Sequence, residues 1–417
     1  MLHQEASGGA GPRICPGYPV RAILCHDFRR LVTESSRPAL EVRRDAAHIG
    51  LPPSGPGAKI AQPRPEDAVP HRLTNVHVHT FSRRHVPRGF VPLGLGRLLE
   101  LPGLRGIAGA VLTRVGTREF RDLATRYRDF LRIAMEERQA EIFRIVESRY
   151  PRDARFVVLP MDLRHMGRGA PPEDLDAQHD ELRALAAAYP QRVLPFVAVD
   201  PRRPDLLAMV RRRVEEDGFR GLKLYPNLGY APSDPALAPV FAYAAERRLP
   251  VMAHCARGGV RFKNASDAQV AAWGAPDAWL PVLRAFPTLP VCLAHFGGHE
   301  EWNRYFGNGW RRDDATQEHS WLARILDLLR GEFAGKNLWT DISYTIFHFE
   351  HYAPALKVFL TDPLVASRTL FGSDFYMAQQ EDFEERLLSM RLRATLGEPL
   401  FWQIAEENPE RWLGERT

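Results

Sequence analysis

Short apolar segments recur from residue 73 onward, and helix-like stretches separate them. Most of these segments are nearly continuous runs of Val, Ile, Leu and Phe, as is typical of parallel strands buried on both faces. Eight strands that alternate with helices over about 300 residues predict an α/β fold of the (β/α)8, or TIM barrel, type. The eight segments are LTNVHVHT (73–80), RFVVLPMD (155–162), RVLPFVAVD (192–200), FRGLKLY (219–225), PVMAHCA (250–256), PVCLAHF (290–296), NLWTDIS (337–343) and RTLFGSD (368–374).

The connecting stretches support this alternation. Pro190, Pro250 and Pro290 each stand where a helical pattern stops and an apolar run begins, as expected of a residue that cannot continue a helix. An open doubly wound sheet is the alternative, but it would need a glycine-rich phosphate loop after an early strand, and the first strand ends in HVHTFSRRH instead. Helices are predicted within 117–148, 173–190, 204–217, 235–249, 275–286 and 319–333.

Two regions fall outside the repeating pattern. Residues 1–72 are punctuated by Pro and Gly and are predicted to be a largely irregular, poorly ordered leader or linker. Residues 81–154, between the first two strands, are too many for a simple loop and predict a helical insertion. That insertion would form either a lid over the barrel or a contact in a homo-oligomer. The barrel itself is expected to occupy residues 73–417.

Composition excludes several classes of protein. With 45% hydrophobic and 26% charged residues the chain is an ordinary globular one, and no apolar run approaches the ~20 residues that cross a bilayer, so no membrane partner is expected. The 56 basic and 51 acidic residues show no long basic run, which argues against a nucleic-acid partner. Four cysteines without a CxxC pair, and an N-terminus without an apolar signal region, favour a reducing cytoplasm.

Polar side chains stand at the carboxyl ends of several predicted strands. His77 and His79 are two residues apart, so their side chains point the same way from the first strand, while His254, His295 and Asp374 close the fifth, sixth and eighth apolar runs. Each has an ordinary explanation alone, such as a hydrogen-bonded histidine or an aspartate that caps a helix. Burying polar groups at the ends of several strands costs free energy unless each group has a hydrogen-bond partner or a ligand. Their coincidence at one end of a barrel predicts a metal site.

These motifs resemble the amidohydrolase superfamily, and within it the amidohydrolase-related, or amidohydrolase-2, branch. The resemblance covers about 73–417 and rests on HVH, GLKLYP, AHC, AHFGG, GSD and ENPERWLG, in that order along the chain. It implies that His77, His79, His254 and Asp374 bind a metal and that Asp374 also handles the proton of metal-bound water. It implies that His295 binds a second metal, or polarises the substrate and moves protons.

Lys223, on the predicted fourth strand, is one of only five lysines in the chain. The resemblance implies that a lysine here becomes carbamylated and bridges two metals in binuclear members. Lysine suits that role because its amine can lose a proton when it is desolvated, whereas a guanidinium cannot. The alternative is that Lys223 remains an ammonium group that pairs with a substrate carboxylate or an acidic side chain.

A ligand set of imidazoles and a carboxylate predicts metal-dependent hydrolysis of an amide, ester or lactone, since a bound metal lowers the pKa of a coordinated water to about 7. Zn²⁺ is the expected metal, with Mn²⁺ or Fe²⁺ as alternatives. A decarboxylase or hydratase acting on an unsaturated or aromatic carboxylic acid is the second hypothesis, because the branch also contains lyases. A barrel that has lost catalysis is the third.

The expected partner is a small molecule, most simply one that carries a carboxylate. Arg257 and Arg261, in CARGGVRFK, and Tyr225, two residues after Lys223, are candidates to bind it, although a solvated basic loop explains the arginines equally well. Asp341, at the end of the seventh run, is a candidate to support a ligand from behind. The sequence does not distinguish these roles.

Overall fold

The computed structural model describes residues 71–90, 129–307, 320–347, 349–381 and 384–416. The predicted leader therefore lies almost entirely outside the described residues, as does much of the predicted insertion. The boundaries proposed for these two regions stay predictions.

Eight parallel strands in the order β1 to β8 confirm the predicted TIM barrel. Backbone hydrogen bonds complete the circle, because Val76 N donates to Phe371 O at 3.0 Å and Asp374 N donates to His77 O at 2.9 Å. All eight apolar segments contain a strand. The strands are β1 Thr74–Val78, β2 Arg155–Val158, β3 Val193–Val199, β4 Gly221–Leu224, β5 Val251–Ala253, β6 Val291–Leu293, β7 Leu338–Asp341 and β8 Thr369–Leu370.

Strand β1 contains one extra residue relative to its neighbour. Asn75 pairs with Phe156 and Val78 pairs with Val158, so three steps along β1 match two along β2. A bulge of this kind redirects side chains and is common beside functional sites. The alternation of side chains between the two faces of β1 is therefore interrupted between Asn75 and Val78, the segment that contains His77.

Helices follow the strands and cover the outside of the barrel. Side chains cap several of them, as when Asp174 accepts a hydrogen bond from Ala177 N at 3.1 Å at the start of α2. The helices are α1 Gln139–Glu147, α2 Leu175–Ala188, α3 Leu206–Glu215, α4 Ala238–Glu246, α5 Asp267–Gly274, α6 Leu280–Ala285, α7 His299–Gly307, α8 Trp321–Arg330, α9 Phe349–Leu360, α10 Pro363–Ala366, α11 Glu385–Leu396, α12 Glu398–Trp402 and α13 Asn408–Trp412.

Buried apolar side chains form two clusters. The larger lies between strands and helices and includes Leu222 and Leu224, whereas the smaller includes Phe196, Met252 and Trp412. Lys223 lies between the two leucines on β4, so alternation turns its side chain to the opposite face. Among the described residues, none of the helices is both long enough and apolar enough to cross a membrane.

His179 is a buried titratable group outside the barrel mouth. It lies on α2, its Nε2 accepts a hydrogen bond from Ala198 N at 3.1 Å, and its side chain has no exposed surface. Burial, reinforced by the positive charge of Arg213, lowers the pKa of His179 well below its usual value. The folded protein therefore holds this imidazole neutral.

We expect His179 to make the fold less stable in mild acid. Its pKa is lower in the folded than in the unfolded chain, so the unfolded chain binds the proton first, and the free energy of unfolding falls as pH decreases below about 6.5. The His179→Gln variant keeps an acceptor for Ala198 N and removes this titration. Urea unfolding at pH 7.5 and 5.5 should therefore show a smaller loss in the variant, by at most about 1.4 kcal/mol per pH unit. Equal losses in both proteins would contradict the assignment.

Candidate metal centre

Three side chains, from β1 and from the segments that follow β1 and β8, meet at the carboxyl end of the barrel. One ligand atom each from His77, His79 and Asp374 lies within 4.8 Å of the others, and all three residues are buried. Asp374 Oδ1 is 3.3 Å from His79 Nε2 and 3.7 Å from His77 Nε2. The barrel closure between β1 and β8 is what brings them together.

The chemistry of this group fits a cation. His79 Nδ1 donates to the carbonyl oxygen of Leu159 at 2.8 Å, which leaves the Nε2 of a neutral ring as a lone-pair donor toward Asp374. Asp374 Oδ1 is itself buried without a hydrogen-bond partner. A desolvated carboxylate oxygen that faces an imidazole lone pair needs a proton or a metal ion between them. The residues present therefore suit a divalent metal.

His295 and His254 lie next to this group. The ring centroids of His77 and His295 are 4.8 Å apart, and His254 Nδ1 is 3.1 Å from His295 Nε2. The other ring nitrogen of His254 donates to Gly258 O at 3.1 Å. Both histidines are thus beside the centre, but His254 is not among the three ligand atoms above, so its predicted role as a ligand stays a prediction.

Lys223 reaches the same space from β4. Its Nζ is 3.2 Å from His77 Nε2, and only 2% of the residue is exposed. Burial lowers the pKa of Lys223 to about 8, against the opposing effect of Asp374 and Asp341. A pKa near 8 leaves most of the amine charged near pH 7, as pairing with a carboxylate requires, and makes the neutral form that carbamylation requires readily accessible. Both predicted roles stay predictions.

Burial also sets the protonation of the histidines. It lowers the pKa of His77, His79 and His254 well below the usual value, with further lowering by neighbouring positive groups, and it lowers the pKa of His295 to about 4. Imidazoles that stay neutral near pH 7 are the form that binds metal ions. Burial also raises the pKa of Asp374 well above its usual value, which a nearby cation would reverse.

Two of these side chains are carried by an unusual backbone conformation. His295 has φ of 67° and Asp374 has φ of 61°, both in the left-handed region that most side chains avoid. Gly372 lies two residues before Asp374, and a Cβ added at Gly372 would lie 2.8 Å from the Cβ of His77. Such conformations cluster at functional sites because the surrounding structure must hold them.

Tyr225, predicted to bind substrate, is packed against a histidine of the centre. Its ring stacks on His254 with centroids 4.0 Å apart, and its hydroxyl accepts a hydrogen bond from Val260 N at 3.0 Å. The same tyrosine lines a small cavity together with Lys223 and Tyr230. A substrate role for Tyr225 stays a prediction, and its observed contacts orient the His254 ring.

Arg257 and Arg261 make contacts within the protein. Arg257 Nε donates to Glu301 Oε1 at 2.5 Å, and its guanidinium lies 4.7 Å from the ring centroid of Trp321. Arg261 donates to the carbonyl of Arg257 and to Asp267. Glu301 is fully buried, so it needs a cationic partner whether or not substrate is present. The predicted role of these arginines in substrate binding is untested.

Sequence reasoning left out several polar residues at the barrel mouth. Ser343 Oγ lies 3.0 Å from His77 Nδ1 and 2.9 Å from His295 Nδ1. Asp162 and Asp200 follow β2 and β3, where they line the cavity beside Lys223. The signal for both aspartates was present, because each closes an apolar run, PMD and AVD. Ser343 carried no such signal.

His77, His295 and Asp341 form a second group of potential ligands, and His85, Glu173 and Glu181 form a third. His85 Nδ1 accepts a hydrogen bond from Ser82 N at 3.1 Å, so a neutral ring carries its proton on Nε2, the nitrogen that faces Glu173. Both glutamates also form ion pairs with arginines. His85 Nε2 is buried without a hydrogen-bond partner, 3.6 Å from Glu173 Oε2, so the contacts within the third group are this approach, the Ser82 hydrogen bond and the arginine ion pairs of the glutamates.

Comparison with known families identifies the family of the chain and agrees with the fold. The family model Amidohydro_2, described as "Amidohydrolase", matches residues 147–414, and the chain belongs to this family. Membership indicates a metal-dependent enzyme that acts on small molecules. The match begins after β1, so the positions of His77 and His79 rest on the structure. The curated proteins include no match.

The chain is similar to several solved structures at low sequence identity. A probable 2-pyrone-4,6-dicarboxylic acid hydrolase from Acinetobacter baumannii is 13% identical with a TM-score of 0.50, over 82% of this chain and 99% of that chain. A 2,6-dihydroxybenzoate decarboxylase from Rhizobium is 14% identical with a TM-score of 0.47, over 82% and 99%. A 4-oxalomesaconate hydratase from Rhodopseudomonas palustris is 16% identical with a TM-score of 0.46, over 82% and 96%.

We expect metal content to depend on the three converging side chains. Purified protein, dialysed and measured by elemental analysis, should contain at least one divalent metal ion per chain, and His77→Ala or Asp374→Ala should lose most of it, because each removes a ligand atom. His351→Ala, which changes an exposed histidine on α9, is the matched control and should keep its metal. Full metal content in both site variants would show that the cation binds elsewhere.

Proposed function

We propose that the protein is a metal-dependent hydrolase that cleaves an amide, ester or lactone of a small, carboxylate-bearing molecule. The observation that carries the proposal is the buried convergence of His77, His79 and Asp374, in which one carboxylate oxygen has no hydrogen-bond partner. His254, and Lys223 if it is carbamylated, would complete the ligand set. Zn²⁺ is the first choice for such N and O ligands, with Mn²⁺ and Fe²⁺ as alternatives.

A divalent cation held here would polarise a substrate oxygen and lower the pKa of a water molecule. Side chains of the protein would carry out the proton transfer and the stabilisation of charge. The carboxylate of Asp374 would accept a proton from the attacking water and pass it to the leaving group. His295, which is neutral and lies 3.1 Å from His254, would stabilise charge that develops on the attacked oxygen.

The substrate would approach from the cavity beside Lys223. In its charged form the Lys223 amine, 3.2 Å from His77 Nε2, would hold a carboxylate of the substrate. Tyr225 and Tyr230 supply flat walls to the same cavity.

The second candidate is a decarboxylase or hydratase on the same scaffold. The observation that favours it is the 3.2 Å approach of Lys223 Nζ to His77 Nε2, since an unmodified amine there would bind a substrate carboxylate and would not bridge two metals. One metal ion per chain with an unmodified Lys223 would strengthen this candidate. Two metal ions with a carbamate on Nζ would strengthen the hydrolase.

Reaction class can be decided directly. The metal-loaded protein is incubated in H₂¹⁸O with a panel of lactones, amides and esters, and separately with hydroxybenzoates and muconate-type acids. Hydrolysis places ¹⁸O in a product carboxylate, hydration places it in a hydroxyl group, and decarboxylation releases CO₂ and leaves the remaining product without ¹⁸O. We expect ¹⁸O in a carboxylate. Release of CO₂, or ¹⁸O only in a hydroxyl group, would replace the hydrolase by the lyase.

His295→Asn tests the division of roles within the centre. Asparagine tolerates the left-handed backbone of this position better than most residues, so the turn should survive. If His295 moves protons or polarises the substrate, the variant should keep one bound metal and lose about 100-fold or more in kcat. Steady-state kinetics and elemental analysis measure the two effects. Loss of metal in proportion to activity would instead make His295 a ligand.

A further inference from the structure

We infer that Asp341, the last residue of β7, is a positioning residue that fixes the proton of His77 on Nδ1 and thereby frees Nε2 for the metal. The inference rests on the proposed function, because it concerns how this chain prepares His77 to be a ligand. It adds the requirement that Asp341 hold the proton of His77 on Nδ1, which the choice of ligands alone does not imply.

The first support is the contact between the two side chains. His77 Nδ1 lies 2.8 Å from Asp341 Oδ2, and neither side chain has any exposed surface. A carboxylate can only accept at this distance, so the hydrogen must reside on Nδ1. A neutral ring with its proton on Nδ1 presents a lone pair at Nε2, and that nitrogen faces Asp374 and Lys223.

The second support is that Asp341 is held from the other side. Its Oδ1 accepts hydrogen bonds from His295 N at 2.8 Å, Ser343 N at 3.0 Å and Ser343 Oγ at 2.5 Å. Three donors on one oxygen fix the orientation of the carboxylate. Only Oδ2 remains for His77.

His79 provides the internal comparison. Its Nδ1 donates to the backbone carbonyl of Leu159 at 2.8 Å, so its tautomer is fixed by the main chain. The tautomer of His77 depends on a side chain, which substitution can change. The two histidines of the same motif should therefore differ in their response to mutation on β7.

The Asp341→Asn variant separates this role from packing because the two residues have the same shape. The three donors at Oδ1 require the amide oxygen on their side, which turns the amide NH₂ toward His77 Nδ1. An N–H that faces Nδ1 moves the ring proton to Nε2, where it competes with the metal. Loss of such an outer partner typically lowers metal affinity about 10- to 100-fold.

The experiment measures the dissociation constant for Zn²⁺, by competition with a chromophoric chelator, in wild type, Asp341→Asn and Thr340→Val. Thr340→Val is the matched control, since it removes the buried hydrogen bond from Thr340 Oγ1 to Leu293 O on the same strand without touching His77. We expect an approximately 10- to 100-fold weaker Zn²⁺ complex only in Asp341→Asn. Equal affinity in wild type and Asp341→Asn would overturn the inference.

A second measurement does not depend on any variant folding. ¹⁵N NMR of metal-free wild-type protein labelled at histidine, with His77 assigned by its absence in His77→Ala, reports which ring nitrogen carries the proton. The inference predicts Nδ1, and a proton on Nε2 would overturn it. Failure of the proposed function looks different: wild type would then bind Zn²⁺ no more tightly than His77→Ala.

Discussion

The arrangement of the barrel mouth depends on one electrostatic constraint. A carboxylate oxygen of Asp374 and a ring nitrogen of His79 are buried against each other, and both are electron-pair donors. The Asp374 oxygen that faces His79 is inaccessible to water and has no hydrogen-bond partner. The neutral ring of His79 carries its proton on Nδ1, which donates to a backbone carbonyl, so the facing Nε2 carries none. Burying such groups is unfavourable unless a cation compensates. The proposed metal and the roles of the neighbouring residues follow from this constraint.

Position in the fold explains how such an arrangement is held. Each side chain of the centre is carried by a strand or by the residues immediately after one, and the strand ends of a closed barrel face a common space. Left-handed backbone at His295 and Asp374 turns their side chains inward, and backbone hydrogen bonds between β1 and the residues after β8 fix the turn around Asp374. Rigid supports of this kind are what a precise ligand geometry requires.

The positions of the strands could be predicted from the sequence because an apolar run is a local signal. His77, His79 and Asp374 were also predictable, since each interrupts or closes such a run. The partners of these residues were not, because they depend on contacts between distant segments. Nothing in CARGGVRFK reveals that Arg257 pairs with a buried Glu301, and the direction of the His254 ring depends on Tyr225 and Gly258. The bulge in β1 is likewise a property of pairing with β2.

The most direct test is anomalous diffraction from crystals of the metal-loaded, active protein, with data collected on both sides of the absorption edge of the bound metal. The account predicts an anomalous peak about 2.0–2.2 Å from His77 Nε2, His79 Nε2 and an oxygen of Asp374. A peak coordinated by other residues, or active crystals without a peak between these three side chains, would contradict it.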